Sequence, residues 1–302
     1  MQEKFARMVE EIKKGHEESR PLNLAKELQG LRFSVSREQG EPVEAVCYRK
    51  ADGVLPVFFN MHGGGFIGGD AVLMDSFCAD LVSRLPICVV NVNYKKAPEY
   101  PFPYAVNEVY DLMDNMAKHA DEYRIDPTRM AVGGHSAGAN LAAAASLMAA
   151  DRNGPVLRLQ MLDYPCVDLS TDLTIRNPNS TPEEVEGMRM FVALYCQHED
   201  AGNCYASPLL APPERLAKVC PAAFITCGPD ELRPEGEEYA KKLIDCGVPV
   251  SIRRYEDALH GFVEVNRPDY PDGDPRKNDQ QLAMCKDAEQ FICQQLEMAL
   301  CR

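Results

Sequence analysis

Three runs of the chain are apolar on both of the faces that a β-strand presents: VLPVFFNM at 54–61, ICVVNVNY at 87–94 and AAFITCG at 222–228. A strand of that kind has no side to offer to water, so it must lie inside a sheet covered above and below. Strands of that kind sit inside a parallel sheet covered by helices. Shorter β-rich runs place strands at about 31–38, 43–50, 129–134, 157–163 and 250–256 as well. From the third strand onward, helix-like segments separate most of them, at about 72–84, 103–120, 137–150 and 233–246, and a last helix covers about 279–300. Strands alternating with helices predict a three-layer α/β fold: an eight-stranded, mostly parallel sheet flanked by helices. The first two strands are joined by the short turn Gln39-Gly40-Glu41-Pro42, which predicts an antiparallel start.

One interval breaks the rhythm. Almost 60 residues separate the strand ending near Asp163 from the one starting near Ala222, and a helix-like piece lies at about 182–198. That is too long for a simple crossover and predicts an inserted cap over about 168–217. The N-terminal segment, about 1–30, is expected to join it. There Phe5, Met8, Val9 and Ile12 repeat at i, i+3, i+4 and i+7, one apolar face of a helix. The chain is read as a single domain carrying this cap. Function is expected between the cap and the carboxyl ends of the strands, where α/β sheets place ligands.

The sharpest local signal is Gly134-His135-Ser136-Ala137-Gly138, between the strand RMAVG and the Ala-rich helix NLAAAASLMAA. G-x-S-x-G in that context is a nucleophile elbow, a strained turn that lifts the serine Oγ above the sheet. The flanking positions must be small because strand and helix approach closely there. His135, at the x position, is expected to point away from the pocket. A second signal, His62-Gly63-Gly64-Gly65-Phe66, follows the third strand. Consecutive glycines let backbone N–H groups approach an anion, and the spacing fits neither a phosphate-binding nor a dinucleotide loop. The expected oxyanion donors are the amides of Gly64, Gly65 and Ala137.

A serine nucleophile needs a base, and the base an orienting carboxylate. Of the six histidines, His260 is best placed, on the loop after the eighth strand. Asp230 follows the seventh strand and precedes a helix, with Glu231 as a substitute acid and a helix cap as the bland alternative for Asp230. Ser136, Asp230 and His260 stand in the chain order that this kind of site requires.

Composition narrows the partners. The net charge of −14 and the absence of a dense basic cluster argue against nucleic acid and anionic membrane surfaces. The longest apolar-rich stretch, Leu141 to Ala150, is too short for the ~20 residues that a bilayer demands, so no membrane insertion is expected. The N-terminal residues MQEKFARMVEEIKKG lack an apolar leader core, which predicts a cytoplasmic protein. The 12 cysteines include no C-x-x-C pair and read as reduced structural thiols. No metal is expected: His198, in His198-Glu199-Asp200, lacks a partner at ligand spacing, and the acidic loop with Asp269, Asp272, Asp274 and Asp279 lacks the calcium-loop pattern. A homodimer is left open. Acidic residues gather in 182–200 and in 256–302, the latter with ten acids against five bases. That predicts repulsion of strongly anionic substrates at the pocket mouth, which leaves neutral or cationic ones favoured.

Together, HGGGF at 62–66, NVNYKKAPEYPFP at 91–103, GGHSAGAN at 133–140, YASPLLA at 205–211, PDELRPEGEEYAKKL at 229–243 and HGF at 260–262 carry a resemblance from about residue 40 onward. The chain resembles the hormone-sensitive-lipase-like family of α/β-hydrolases, the microbial carboxylesterases with an HGGG loop. The resemblance implies an α/β-hydrolase fold, Ser136 as nucleophile, His260 as base, Asp230 as its acid, and no cofactor. It implies a serine carboxylesterase acting on small-molecule esters, and the lack of an apolar cap helix with a membrane-binding face in the sequence predicts short to medium acyl groups. A pocket using Phe66, Phe191, Tyr195 and Leu209 is expected. Two departures stand out: His135 where the family usually has Asp, and Glu231 and Pro234 where it usually shows Pro and Asp. An amidase or peptidase with the same triad is the alternative, and a non-catalytic ligand-binding homologue a weaker one.

Overall fold

The computed structural model describes residues 2–196 and 200–302. His198 lies outside the described residues. The eight strands form one sheet: β1 (Leu31–Val35), β2 (Val43–Tyr48), β3 (Leu55–Met61), β4 (Cys88–Asn93), β5 (Ile125–His135), β6 (Leu157–Asp163), β7 (Ala222–Cys227) and β8 (Val250–Tyr255). Their order is β1-β2-β4-β3-β5-β6-β7-β8. β2 runs antiparallel to both of its neighbours, and every pair from β4 to β8 is parallel.

The apolar runs occupy the middle of the sheet for the reason that the sequence suggested. Every residue of β3 and of β7 is buried. Side chains alternate between two cores: Val57, Phe59 and Met61 enter one, Phe58 the other. Full burial of a side chain of this size contributes about 1.5–3 kcal/mol. The helices Tyr104–Lys118, Ala137–Arg152 and Arg233–Asp245 cover one face, and Asp75–Arg84 and Asp279–Leu300 the other. β5 starts four residues ahead of its apolar run. Ile125 pairs with Leu55 before a register shift, after which Met130 to Gly134 pair with Val57 to Met61.

The helix after β5 crosses the sheet very closely. A Cβ on Gly138 would collide with the carbonyl oxygens of Met61 and His62, and one on Gly134 would lie 2.6 Å from the Met61 oxygen. Backbone atoms cannot yield as a flexible side chain does. Gly138→Ala is therefore expected to lower stability by about 1–3 kcal/mol or more, read as an earlier urea midpoint than the unaltered chain.

The N-terminal helix Gln2–Ala25 is tied to the rest by side chains, and Arg32 of β1 donates to its Asn23 carbonyl at 2.8 Å. His16 bridges the Ile67 carbonyl (2.5 Å) and the Glu99 carboxylate (3.1 Å), and Arg20 reaches Glu44 at 2.6 Å. Val9 and Ile12 of its apolar stripe are half-buried, whereas Phe5 remains exposed. Among the described residues no helix is long and apolar enough to cross a membrane. All twelve cysteines carry free thiols.

Candidate active site

Ser136 sits between the end of β5 and the helix Ala137–Arg152 with φ 54° and ψ −114°. A non-glycine residue in that region carries strain of about 1–3 kcal/mol and persists only when its surroundings over-determine it. Here they do. The Ser136 N–H donates to the Asp163 carbonyl at 2.9 Å, and the Asn140 N–H donates to the Ser136 carbonyl at 3.1 Å.

The strained turn presents Ser136 Oγ to His260, whose Nε2 lies 2.9 Å away. His260 Nδ1 lies 2.8 Å from Asp230 Oδ2. A carboxylate oxygen can only accept, so Nδ1 carries the proton and Nε2 is left to accept from the serine hydroxyl. Asp230 is buried, and its other oxygen accepts the Leu232 N–H at 2.9 Å. It thus also closes the turn before the next helix, whose N-cap position is Leu232 rather than Asp230. Glu231, the substitute acid, makes no hydrogen bond to His260. Burial acts to lower the His260 pKa, but the Asp230 charge and hydrogen bond, with Glu231 and Glu264 adding, leave it raised above 6.5.

Several groups that hold this arrangement carried no sequence signal. Tyr164 packs edge-on against the His260 ring at 5.0 Å. Arg276, clamped by Asp274 at 2.9 and 2.6 Å, donates to the His260 carbonyl at 2.9 Å. Glu264, on the short helix Phe262–Val265, accepts the Gly63 N–H at 2.8 Å and so ties the glycine loop to the histidine loop. His135 turns into the core beneath the elbow, as expected. It pairs with buried Asp163 at 2.9 Å and meets Phe77 edge-on. Attraction to Asp163 outweighs burial and raises its pKa.

The glycine loop faces the serine. Gly64 and Gly65 adopt φ of 123° and 61°, which a side chain would resist. The amides of Gly64, Gly65 and Ala137 have no protein acceptor among the described residues. His62 is buried, stacked on Tyr94 at 4.3 Å, and donates from Nδ1 to the Gly63 carbonyl at 2.7 Å. Burial pushes its pKa down to about 4, which leaves it neutral. Its role in the loop is structural: Tyr94 Oη donates to its carbonyl at 2.9 Å.

These groups open onto a cavity of about 380 Å3, the size of a small-ligand pocket. Phe66 and Phe191 line it, with Leu169 and Met188 from the long interval between β6 and β7. Tyr195 and Leu209 are corrections to the expected pocket. Tyr195 is buried behind Phe66, its ring stacked flat on that ring at 3.7 Å and 6°. Leu209 is held in the core by a 3.0 Å bond from its N–H to the Val167 carbonyl. Among the described residues no cluster of three His, Cys, Asp or Glu side chains could hold a metal ion. Three carboxylates of the acidic loop are already engaged: Asp269 accepts the Ser76 N–H at 2.7 Å, Asp272 pairs with Lys277, and Asp274 with Arg276.

A family model described as alpha/beta hydrolase fold matches residues 58–264. The chain belongs to this family. Esterase LipI of Mycobacterium tuberculosis is 33% identical over 210 residues, which cover 69% of this chain and 66% of LipI. Carboxylesterase NlhH of the same organism is 33% identical over 213 residues, covering 69% and 67%. The match thus spans about two thirds of these relatives' length. Among solved structures, an esterase from Pyrobaculum calidifontis superposes with a TM-score of 0.80 at 32% identity, covering 98% of this chain and 94% of that one.

Proposed function

We propose that this chain is a serine carboxylesterase of the hormone-sensitive-lipase-like type, hydrolysing esters of short to medium acyl length. One observation carries the reading: an unbroken hydrogen-bonded line from Ser136 through His260 to buried Asp230, in the same cavity as three amides that have no acceptor among the described residues. The names of the relatives, esterase and carboxylesterase, point the same way.

His260 Nε2 takes the proton as Ser136 Oγ attacks the ester carbonyl carbon. Negative charge moves to the carbonyl oxygen, where the N–H groups of Gly64, Gly65 and Ala137 receive it. One such donor is typically worth about 3–4 kcal/mol of barrier. Asp230 holds the tautomer and stabilises the imidazolium. The imidazolium protonates the departing alkoxide, and the acyl group stays on Ser136. Water, deprotonated by His260, then attacks the acyl-enzyme, and the acid leaves as Oγ regains its proton. Each step uses a group of the chain or water, so the reading calls for no cofactor or metal.

The stretch 168–217, with the N-terminal segment, is read as a cap, and its Leu169, Met188 and Phe191 supply apolar wall. Twelve free thiols and a net charge of −14 support a cytoplasmic enzyme with no nucleic-acid partner. Triad, amides and cavity all come from one chain, so the chemistry needs no second copy.

The test compares p-nitrophenyl butyrate with butyryl p-nitroanilide. Faster turnover of the ester supports an esterase, and a higher kcat/KM on the anilide would make the chain an amidase. The reading also sets a pH dependence. His260 must be neutral to act as base, and its pKa is raised above 6.5. Activity is therefore lost as pH falls through a value above 6.5. The acid limb of kcat/KM, which reports the free enzyme, is expected there, and a midpoint below 6.5 would contradict this account of His260.

A further inference from the structure

We propose that Glu231 makes this site select esters bearing a positive charge, such as an alkylated ammonium, over neutral esters of the same shape. This rests on the esterase reading and names the substrate class of the same site. Glu231 lies in the wall of the cavity that holds Ser136 and His260. It also lines the adjoining groove with Asn177, Ser180 and Glu184.

The other charged groups of the cavity wall are already engaged. Glu264 holds the Gly63 N–H. Arg276 is clamped by Asp274 and bonded to the His260 carbonyl. Asp230, behind the wall, is committed to His260. Among the described residues the Glu231 carboxylate has no ion pair and no hydrogen bond to another residue. Arg233 shares the groove without pairing with it. Burial first, then the like charge of Asp230 and more weakly that of Glu184, raise the Glu231 pKa against the opposing pull of His260 and of a bond to its own backbone. A partly buried carboxylate beside a like charge gains from any cation brought to it.

The rest of the wall suits the same ligand. The rings of Phe66 and Phe191 line the cavity, and ring faces attract alkylated ammonium groups. Glu231 is also one of the two places where the sequence departs from the pattern of the family it resembles. The departure puts a carboxyl group with no ion pair among the described residues in the wall of the cavity that holds Ser136.

The experiment compares choline butyrate with 3,3-dimethylbutyl butyrate, which replaces the quaternary nitrogen by carbon at nearly constant shape. The full-length chain is expected to favour choline butyrate in kcat/KM by about 10-fold or more at low salt. Raising the salt to ~0.5 M should shrink that ratio. In Glu231→Gln the ratio should fall close to one, whatever the variant's rate on the neutral ester. Two results overturn the proposal: equal rates on the two esters in the unaltered chain, or a ratio that Glu231→Gln leaves unchanged. The second would mean that Glu231 acts only through His260, slowing both esters alike. Failure of the esterase reading looks different, since the unaltered chain would then turn over neither ester. The salt dependence needs no variant, so the proposal stays testable if Glu231→Gln does not fold.

Discussion

Ser136→Ala is expected to reduce kcat on p-nitrophenyl butyrate by about 10^4-fold or more while leaving the fold intact. The account makes Oγ the atom that forms the covalent bond, and nothing else in the cavity can replace it. The thiol of Cys166 lines the same cavity, but burial pushes its pKa up to about 12, so almost none is present as thiolate. What the substitution removes structurally is small. The 2.9 Å bond from Ser136 Oγ to His260 is worth about 1 kcal/mol net. The positive φ of 54° is no worse for alanine than for serine. Activity and melting temperature should therefore separate sharply: turnover lost, Tm within a few degrees of the unaltered chain. Full activity in Ser136→Ala would refute the assignment.

Asp230→Asn is expected to cost kcat/KM on the order of 10^4-fold. An asparagine in that place keeps the size and one acceptor, but it can donate its N–H to His260 Nδ1. The imidazole proton then moves to Nε2, the atom that must accept from Ser136 Oγ. The loss is one of tautomer and charge. The same change removes the largest influence that raises the His260 pKa, so residual activity should show its acid limb at lower pH. Glu231, the acid next in the chain, makes no bond to His260, and Glu264 is held by the Gly63 N–H. Near-normal activity in Asp230→Asn would hand the acid's role to Glu231 and overturn the arrangement drawn here.

Much of this site was legible before any coordinates because its parts sit where local constraint is strongest. An elbow requires a strand, a tight turn with small flanks and a helix, and each leaves a mark in the sequence. Gly134 and Gly138 are demanded by the carbonyls of Met61 and His62. The strands at 54–61 and 222–228 were legible because burial on both faces forbids polar alternation. The local pattern starts β5 at about 129, whereas Ile125 already joins the sheet through pairing with Leu55 ahead of a register shift. Such pairing depends on a partner 70 residues away and leaves no local pattern.

The pocket was the least legible part. Phe66, Phe191, Tyr195 and Leu209 are equally apolar, and composition cannot tell a wall from a backing layer. The stack of Tyr195 behind Phe66 decides it. The ties of Glu264 to Gly63 and of Arg276 to the His260 carbonyl join segments distant in sequence through backbone atoms, which impose no residue type at the other end. His135 is an intermediate case. Its position in the elbow predicted a direction away from the pocket, but its partner Asp163 follows only from the register of β5 and β6, where the two residues stand side by side.

The central claim is that Ser136 is the atom-transferring group of an esterase. Its most direct test is the mass of peptides from the full-length chain after reaction with an alkyl fluorophosphonate. The account predicts a single adduct, on the peptide carrying Ser136, formed in step with the loss of ester hydrolysis. Complete inactivation with Ser136 unmodified, or continued hydrolysis with Ser136 fully modified, would contradict it.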